Sequence, residues 1–365
     1  MADSKYKVLQ VGGHETLLFV YYRNFKMGLF SFDYVLRRGG VDFRFKDDPA
    51  FDGELFYLTP LQESKIKWMY ELRQVIAQGK YEIVHLHLGW ANVYGLLACI
   101  GLDVKLVSHN HNFYEASTFI RRLMRIPLKF IIHNLSKGGR LACSKNSFKE
   151  MFYGNGVVLK NAVDYSTFRF NLMARRRVRS QLGLADNLVF CHVGNCIQQK
   201  NHKFLIEVFS KVKRVYRGAK LLAVGDDYGT MKEAKDMVIK LGLQQDVYFL
   251  GPRRDVPDIL SASDIFLFPS FFEGFGIALL EAQINGLPCI YSKDIPRDAI
   301  ITQFCFPCAI NKPEVNSWVE AADTFVSLGL GLEDRSYRSE TVDRSYDIKN
   351  IAHELEDFYQ KTLGT

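Results

Sequence analysis

Glu273 and Glu281 stand eight residues apart in the stretch P-S-F-F-E-G-F-G-I-A-L-L-E-A-Q-I-N-G-L-P-C-I-Y-S over 269–292, with Gly274, Phe275 and Gly276 between them. The glycines form a loop that opens a helix at about Ile277, and Gly286-Leu287-Pro288 closes it. A helix opened in this way presents bare backbone N–H groups, here those of Gly276, Ile277 and Ala278, and an anion is their natural ligand. At about 1.5 Å per helical residue the two carboxylates are roughly 10 Å apart, too far to share a proton or a metal ion. They suit the two ends of one elongated ligand. A nucleotide sugar fits, with sugar hydroxyls at Glu273, the diphosphate at the amides and ribose hydroxyls at Glu281, one turn below Ile277 on the same face.

The elements that must position these groups are short apolar runs. Residues 265–268 and 289–291 flank the stretch and read as buried parallel strands. Further strands are expected at 188–193, 220–224 and 247–250, with helices between several of them. The first half repeats the pattern, with strands at 6–11, 32–36, 54–58, 83–87 and 104–108 and a helix over 63–78. The sequence therefore predicts α/β architecture with two Rossmann-like, doubly wound parallel sheets in tandem. A final amphipathic helix is expected over 347–363.

The run E-G-F-G-I-A-L-L-E-A followed by G-L-P resembles the E-x7-E signature of family-four retaining glycosyltransferases, in particular those that make bacterial capsule and exopolysaccharide. The resemblance extends over nearly the whole chain. It implies the GT-B fold, in which two Rossmann-like domains face each other across a cleft: here an acceptor-side domain over 1–165 and a donor-binding domain over 166–344. The final helix (345–365) would cross back to the first domain. It also implies metal-independent transfer of a hexosyl unit from a nucleoside diphosphate sugar, by the family's usual habit a UDP-sugar, to a glycan or lipid-linked saccharide with retention of configuration. No separate cofactor is implied.

The resemblance assigns further residues. The family usually shows G-R-x4-K after the first strand of the donor domain, its two cations neutralising the diphosphate. Here Gly194 is followed by Asn195, and Lys200 holds the lysine position. Losing one guanidinium removes a bidentate donor fork, and Arg253 or Arg254, after Gly251-Pro252, is a candidate to compensate. Gly12-Gly13, ending the first strand, would face the sugar and acceptor, in a loop shorter than the family's. Of the histidines in H-L-H (85–87) and H-N-H (109–111), His111 is expected to contact the transferred sugar, with His109 as the alternative. These four histidines lack a neighbouring carboxylate or an E-x-x-H partner, so no zinc site is expected.

Charge is unevenly placed. Residues 1–165 hold 22 Lys+Arg against 15 Asp+Glu, while the remainder balances at 25 against 25. The first half should therefore face something anionic. Within 117–135, Arg121, Arg125 and Lys129 fall at i, i+4, i+8 among apolar residues, a pattern suited to an anionic membrane surface, with Pro127 expected to kink or break the helix. No nucleic-acid reading motif is present. The run at 175–179 reads as a solvated face. The seven cysteines are odd in number and scattered; together with a polar start they suit a reduced, cytoplasmic protein at the inner face of the membrane. Cys305-x-x-Cys308 has no second pair and reads as unremarkable. Two alternatives share the architecture: a GT-B sugar-nucleotide epimerase, and a non-catalytic partner subunit suggested by Asn195 and the short Gly12-Gly13 loop. A nicotinamide dehydrogenase is disfavoured because no G-x-G-x-x-G follows either first strand.

Overall fold

Among the described residues thirteen strands, most of them buried on both faces, form two parallel sheets. The structure, a computed structural model, describes residues 6–12, 15–25, 29–36, 46, 48–49, 51–111, 119–184, 186–330 and 334–364. Two compact units divide it, the first of residues 1–164 with 345–365 and the second of 165–344.

In the first unit the strands are β1 (Tyr6–Val11), β2 (Phe30–Leu36), β3 (Leu55–Tyr57), β4 (Ile83–Leu86), β5 (Lys105–Asn110), β6 (Gly139–Ala142) and β7 (Val157–Val158). Their order is β3-β2-β1-β4-β5-β6-β7, all parallel. The second unit contains β8 (Val189–Val193), β9 (Lys220–Val224), β10 (Val247–Gly251), β11 (Ile265–Phe268), β12 (Cys289–Ser292) and β13 (Cys305–Cys308), ordered β10-β9-β8-β11-β12-β13. Both sheets reverse their winding at one point, between β1 and β4 and between β8 and β11. Open α/β sheets bind ligands at the carboxyl ends of strands at such points.

Each sheet is covered by apolar helix faces. In the second unit Phe204, Leu205, Val208, Phe209 and Val212 of the His202–Val215 helix pack with Trp318, Ala321, Ala322 and Phe325 of the Val315–Ser327 helix over β8, β9 and β11. The Ile348–Leu363 helix packs onto the first unit, where Ile348, Ile351, Ala352, Leu355 and Tyr359 join the core around Val8, Phe30, Phe32 and Val107. Asp347 caps its start by accepting from the Lys349 amide at 3.2 Å, and Gly364, at φ 81°, ends it.

Two sequence expectations are corrected, and one strand is added. Pro127 sits inside a continuous helix, Phe119–Leu135, rather than breaking it. Residues 305–308, around the Cys-x-x-Cys pair, form the edge strand β13, which pairs only with β12, so Pro307 removes no amide needed on a second side. The 175–179 run is not a solvated face. Arg175 and Arg179, on the Leu172–Gln181 helix, turn inward onto Asp264, at 2.6 and 3.3 Å, and that carboxylate also accepts from the Val189 amide at 2.7 Å. Asp264 is wholly buried and needs this many partners. Arg177 remains outside, paired with Asp258.

Candidate active site

In the second unit, β8 runs into Gly194 and β11 into Pro269, so the two loops after these strands meet at the sheet's switch point. They are sewn together. The Phe271 amide donates to the Gln199 carbonyl at 2.9 Å, Gln199 Nε2 to the Phe272 carbonyl at 2.8 Å, and Asn201 Nδ2 to the Pro269 carbonyl at 3.2 Å. Lys200 Nζ lies 2.6 Å from Glu273 Oε1 and 5.1 Å from the centre of the Phe268 ring. Gln199 Nε2 also reaches Glu273 Oε2, at 3.4 Å. The expected lysine and the expected carboxylate are thus brought to one place.

The helix of the signature spans Ile277–Ile284. Gly276 is its N-cap at φ 92°, ψ 50°, a left-handed conformation that glycine adopts without strain, and no side chain caps the helix. The first intrahelical bonds run from the Leu279 and Leu280 amides back to the Gly276 carbonyl. That leaves the amides of Gly276, Ile277 and Ala278 at the positive end of the helix dipole. Phe275 is buried, Gly274, Ile277, Ala278 and Glu281 half-buried, and Glu281 lies one turn on from Ile277.

Asn195 and Arg253 both bond to the protein itself. Asn195 Oδ1 accepts from the Asp226 amide at 3.0 Å, tying the β8 loop to the β9 loop. The same two loops touch at Gly225, where φ is 151° and a Cβ would stand 2.1 Å from the Gly194 carbonyl oxygen. Arg253 places its guanidinium fork on Asp255, at 2.8 and 2.7 Å, so its donors are engaged on the protein surface. Asp226 and Asp227 are also engaged: Asp226 accepts the Asp227 amide, and Asp227 accepts the amides of Gly229 and Met231. These amide bonds hold the Asp227 carboxyl below its usual range.

In the first unit, Gly12 at φ 70° ends β1 so close to Leu88 that a Cβ would meet its Cδ2 at 2.1 Å; Gly13 lies outside the described residues. His85, His87, His109 and His111 gather on one face of β4 and β5, because i and i+2 residues of a strand share a face and the two strands pair in register. Ring centres are 4.0 Å apart for His85 and His87 and 3.8 Å for His109 and His111. His87 Nδ1 is 2.7 Å from His111 Nε2, and His111 Nδ1 is 2.9 Å from Asn161 Oδ1. Burial, with the neighbouring imidazoles adding to it, drives the pKa values of His85, His87 and His109 well below the usual histidine value, so all three are neutral.

The Phe119–Leu135 helix reverses the expected arrangement of its two faces. Arg125 pairs with Glu150 at 2.9 Å and lies over Trp90, and Lys129 donates to the Lys149 carbonyl at 2.6 Å. Leu123, Met124, Ile126 and Phe130 are more than half exposed. Packing against the 145–151 helix recruits these cations and leaves an apolar stripe outside. Residues 117–118 and the side chains of Arg121 and Arg122 lie outside the described residues. Among the described residues no helix is long and apolar enough to cross a membrane.

Several positioning residues escaped the sequence reading because their partners are remote in the chain. Gln283 braces the signature helix, donating to the Ala299 carbonyl at 2.7 Å and accepting the Ile301 amide at 2.8 Å. Arg335, 1% exposed, holds that helix's far end through the Asn285 carbonyl and side chain, at 2.9 and 2.6 Å, and reaches the Leu260 and Ser263 carbonyls. Burial lowers its pKa from the usual arginine value. In the first unit Tyr359 and Gln10 brace the histidines. Only the amphipathic period of the last helix hinted at the former.

Two family models match, between them spanning residues 12–337: "Glycosyltransferase Family 4" over 12–182 and "Glycosyl transferases group 1" over 174–337. The putative glycosyltransferase EpsF of Bacillus subtilis is 27% identical over 315 residues, 81% of each chain. The UDP-Gal:alpha-D-GlcNAc-diphosphoundecaprenol alpha-1,3-galactosyltransferase of Escherichia coli is 28% identical over 268 residues, 70% of this chain and 69% of its own. Among solved structures, Anabaena HepE in complex with UDP and glucose superposes with a TM-score of 0.79 at 18% identity, covering 98% of this chain and all of its own. Sucrose-phosphate synthase from Thermosynechococcus elongatus gives 0.76 at 15% identity, covering 99% and 100%. With its switch-point helix, its two doubly wound sheets and these relatives, the chain belongs to the family-four glycosyltransferases and has the GT-B fold.

Proposed function

We propose that this protein moves a hexosyl unit from a UDP-sugar to a glycan or lipid-linked saccharide, with retention of configuration, in cell-surface polysaccharide synthesis at the cytoplasmic face of the membrane. The observation that carries the reading is the uncapped helix start at Gly276 beside the Lys200–Glu273 pair, at the carboxyl ends of β8 and β11. The leaving diphosphate takes the amides of Gly276, Ile277 and Ala278 and the Lys200 ammonium, donors placed where negative charge grows in the transition state. Glu273 orients sugar hydroxyls and Glu281 holds the ribose, while His111 and Gly12 are the sugar-side residues assigned to the first unit.

Similarity to the diphosphoundecaprenol-directed, UDP-Gal-dependent galactosyltransferase and to HepE in complex with UDP supports UDP as the nucleotide and a lipid-diphosphate acceptor. The carboxylates of Asp226 and Asp227 are occupied by backbone amides, which supports transfer without a metal at the diphosphate. The exposed stripe of Leu123, Ile126 and Phe130 supports peripheral contact with the membrane that carries such an acceptor.

The test is incubation of the protein with UDP-sugars and a lipid-linked saccharide, reading product mass and the anomeric coupling of the new linkage. A glycosylated acceptor with the donor's anomeric configuration is expected. An inverted linkage overturns retention, and conversion of the sugar without acceptor points to an epimerase. An absence of nucleotide binding points to a non-catalytic subunit.

A further inference from the structure

The four histidines of the first unit contain more unpaired polar atoms than sugar contact requires. His109 is 1% exposed, and beyond an approach to the Leu159 backbone neither of its ring nitrogens makes a hydrogen bond of normal geometry. His85 is fully buried, and its Nε2 is likewise unpartnered. A buried polar atom without a hydrogen bond costs roughly 1–3 kcal/mol, so three in one cluster need an explanation.

The bonds that do exist brace two of the rings. His85 Nδ1 lies 2.6 Å from Tyr359 Oη, Gln10 Nε2 donates to the same oxygen at 2.9 Å, and His87 Nε2 lies 2.7 Å from Gln10 Oε1. With His87 Nε2–H donating to Gln10, His87 Nδ1 is turned towards His111, and His85 Nε2 lies on the side of its ring away from Tyr359. This is the outer-shell arrangement that fixes the tautomer and orientation of metal-bound imidazoles. One ligand atom each from His85, His87 and His109 lies within 4.8 Å of the others. Tetrahedral binding at about 2.0–2.1 Å needs nitrogens roughly 3.4 Å apart, so a small closure of the rings completes the set.

We propose that His85 Nε2, with one ring nitrogen each of His87 and His109, binds one divalent d-block cation of the zinc class, and that His111 fills the fourth position once its 2.7 Å contact with His87 opens. Imidazole suits such cations, whereas magnesium and calcium prefer oxygen ligands. His111 is half-buried where His85 and His109 are closed off, so the fourth position is the side from which a cation arrives. The site is separate from the proposed diphosphate contacts, and it stands whether or not the chain transfers sugar.

The test uses the full-length protein without a polyhistidine tag, stripped with chelator and titrated with Co2+. Uptake of one equivalent with the intense visible absorption of tetrahedral cobalt is expected, and Zn2+ should displace it. His109→Gln should abolish the signal, Tyr359→Phe should weaken affinity about tenfold to a hundredfold, and His353→Ala, at an exposed position, should change nothing. An X-ray absorption spectrum of the Zn2+-loaded wild type checks the ligands without any variant, and imidazole-only coordination is expected. No saturable uptake, a signal that survives in a folded His109→Gln, or carboxylate or thiolate ligation overturns the proposal and leaves internal water as the partner of these nitrogens.

Discussion

Lys200 Nζ and Glu273 Oε1 are 2.6 Å apart, with only 17% and 9% of their side chains exposed. Each therefore neutralises the other at the proposed donor site. The pair also joins the loop after β8 to the loop after β11, so it fixes the spacing of the proposed diphosphate and sugar positions. In the proposed complex the diphosphate shares Lys200 while sugar hydroxyls share Glu273, and the pair is opened by the two ends of one ligand.

Lys200→Met is therefore expected to weaken UDP binding about tenfold or more, because a charge-assisted hydrogen bond contributes about 1.5–3 kcal/mol. Glu273→Gln should weaken UDP-sugar binding more than UDP binding. The double variant should show less than the summed loss, since the two residues are in contact. Calorimetric titration of the four proteins reads all three effects.

Asn195→Arg should tighten diphosphate binding by restoring the cation the family usually carries. The change also removes the bond from the Asp226 amide to Asn195 Oδ1, so a slightly lower melting temperature should accompany the gain. Weaker UDP binding in calorimetry would mean that another group already occupies the space.

Asp264→Ala should be among the most damaging substitutions in the second unit. It leaves Arg175 and Arg179 facing an empty buried position and the Val189 amide without its acceptor. Breaking a buried pair from one side costs about 3–5 kcal/mol. Urea-dependent amide exchange in β8 should show a loss of that order, while exchange in β1 of the other unit stays unchanged.

Stability of the second unit should fall as pH drops below about 6.5. Burial, reinforced by His202, drives the His192 pKa well below its usual value, and burial, reinforced by Lys200, lowers that of His202 to about 4. As pH falls the unfolded chain takes up these protons first, so stability is complete above the unfolded value and is lost progressively below it. His202→Gln should flatten that slope by up to about 1.4 kcal/mol per pH unit, read by amide exchange in the 202–215 helix between pH 7 and 5.

The signature helix was legible because its determinants are local: a glycine that can hold φ 92°, a following apolar run and a closing Gly286-Leu287-Pro288 lie within one stretch. Strand placement was legible for the same reason, except at β6, at the two-residue β7, and at β13, where Pro307 disguises an edge strand. The partners of buried charges were not legible. Arg175 and Asp264 are 89 residues apart, and His85 and Tyr359 are 274 apart, so nothing in local spacing marks either pair. The basic residues of 119–135 misled in the same way, because the acidic and aromatic groups that claim Arg125 come from elsewhere in the chain.

The central claim is that the helix beginning at Ile277 receives a nucleoside diphosphate with its ribose on Glu281. Calorimetric titration of UDP into the wild type and into Glu281→Ala tests it most directly. The account predicts saturable one-to-one binding by the wild type and a loss of roughly 2–3 kcal/mol in the variant, as two ribose hydrogen bonds to a charged acceptor disappear. Equal UDP affinity in the two proteins would contradict the ribose assignment, and no binding by the folded wild type would contradict the site.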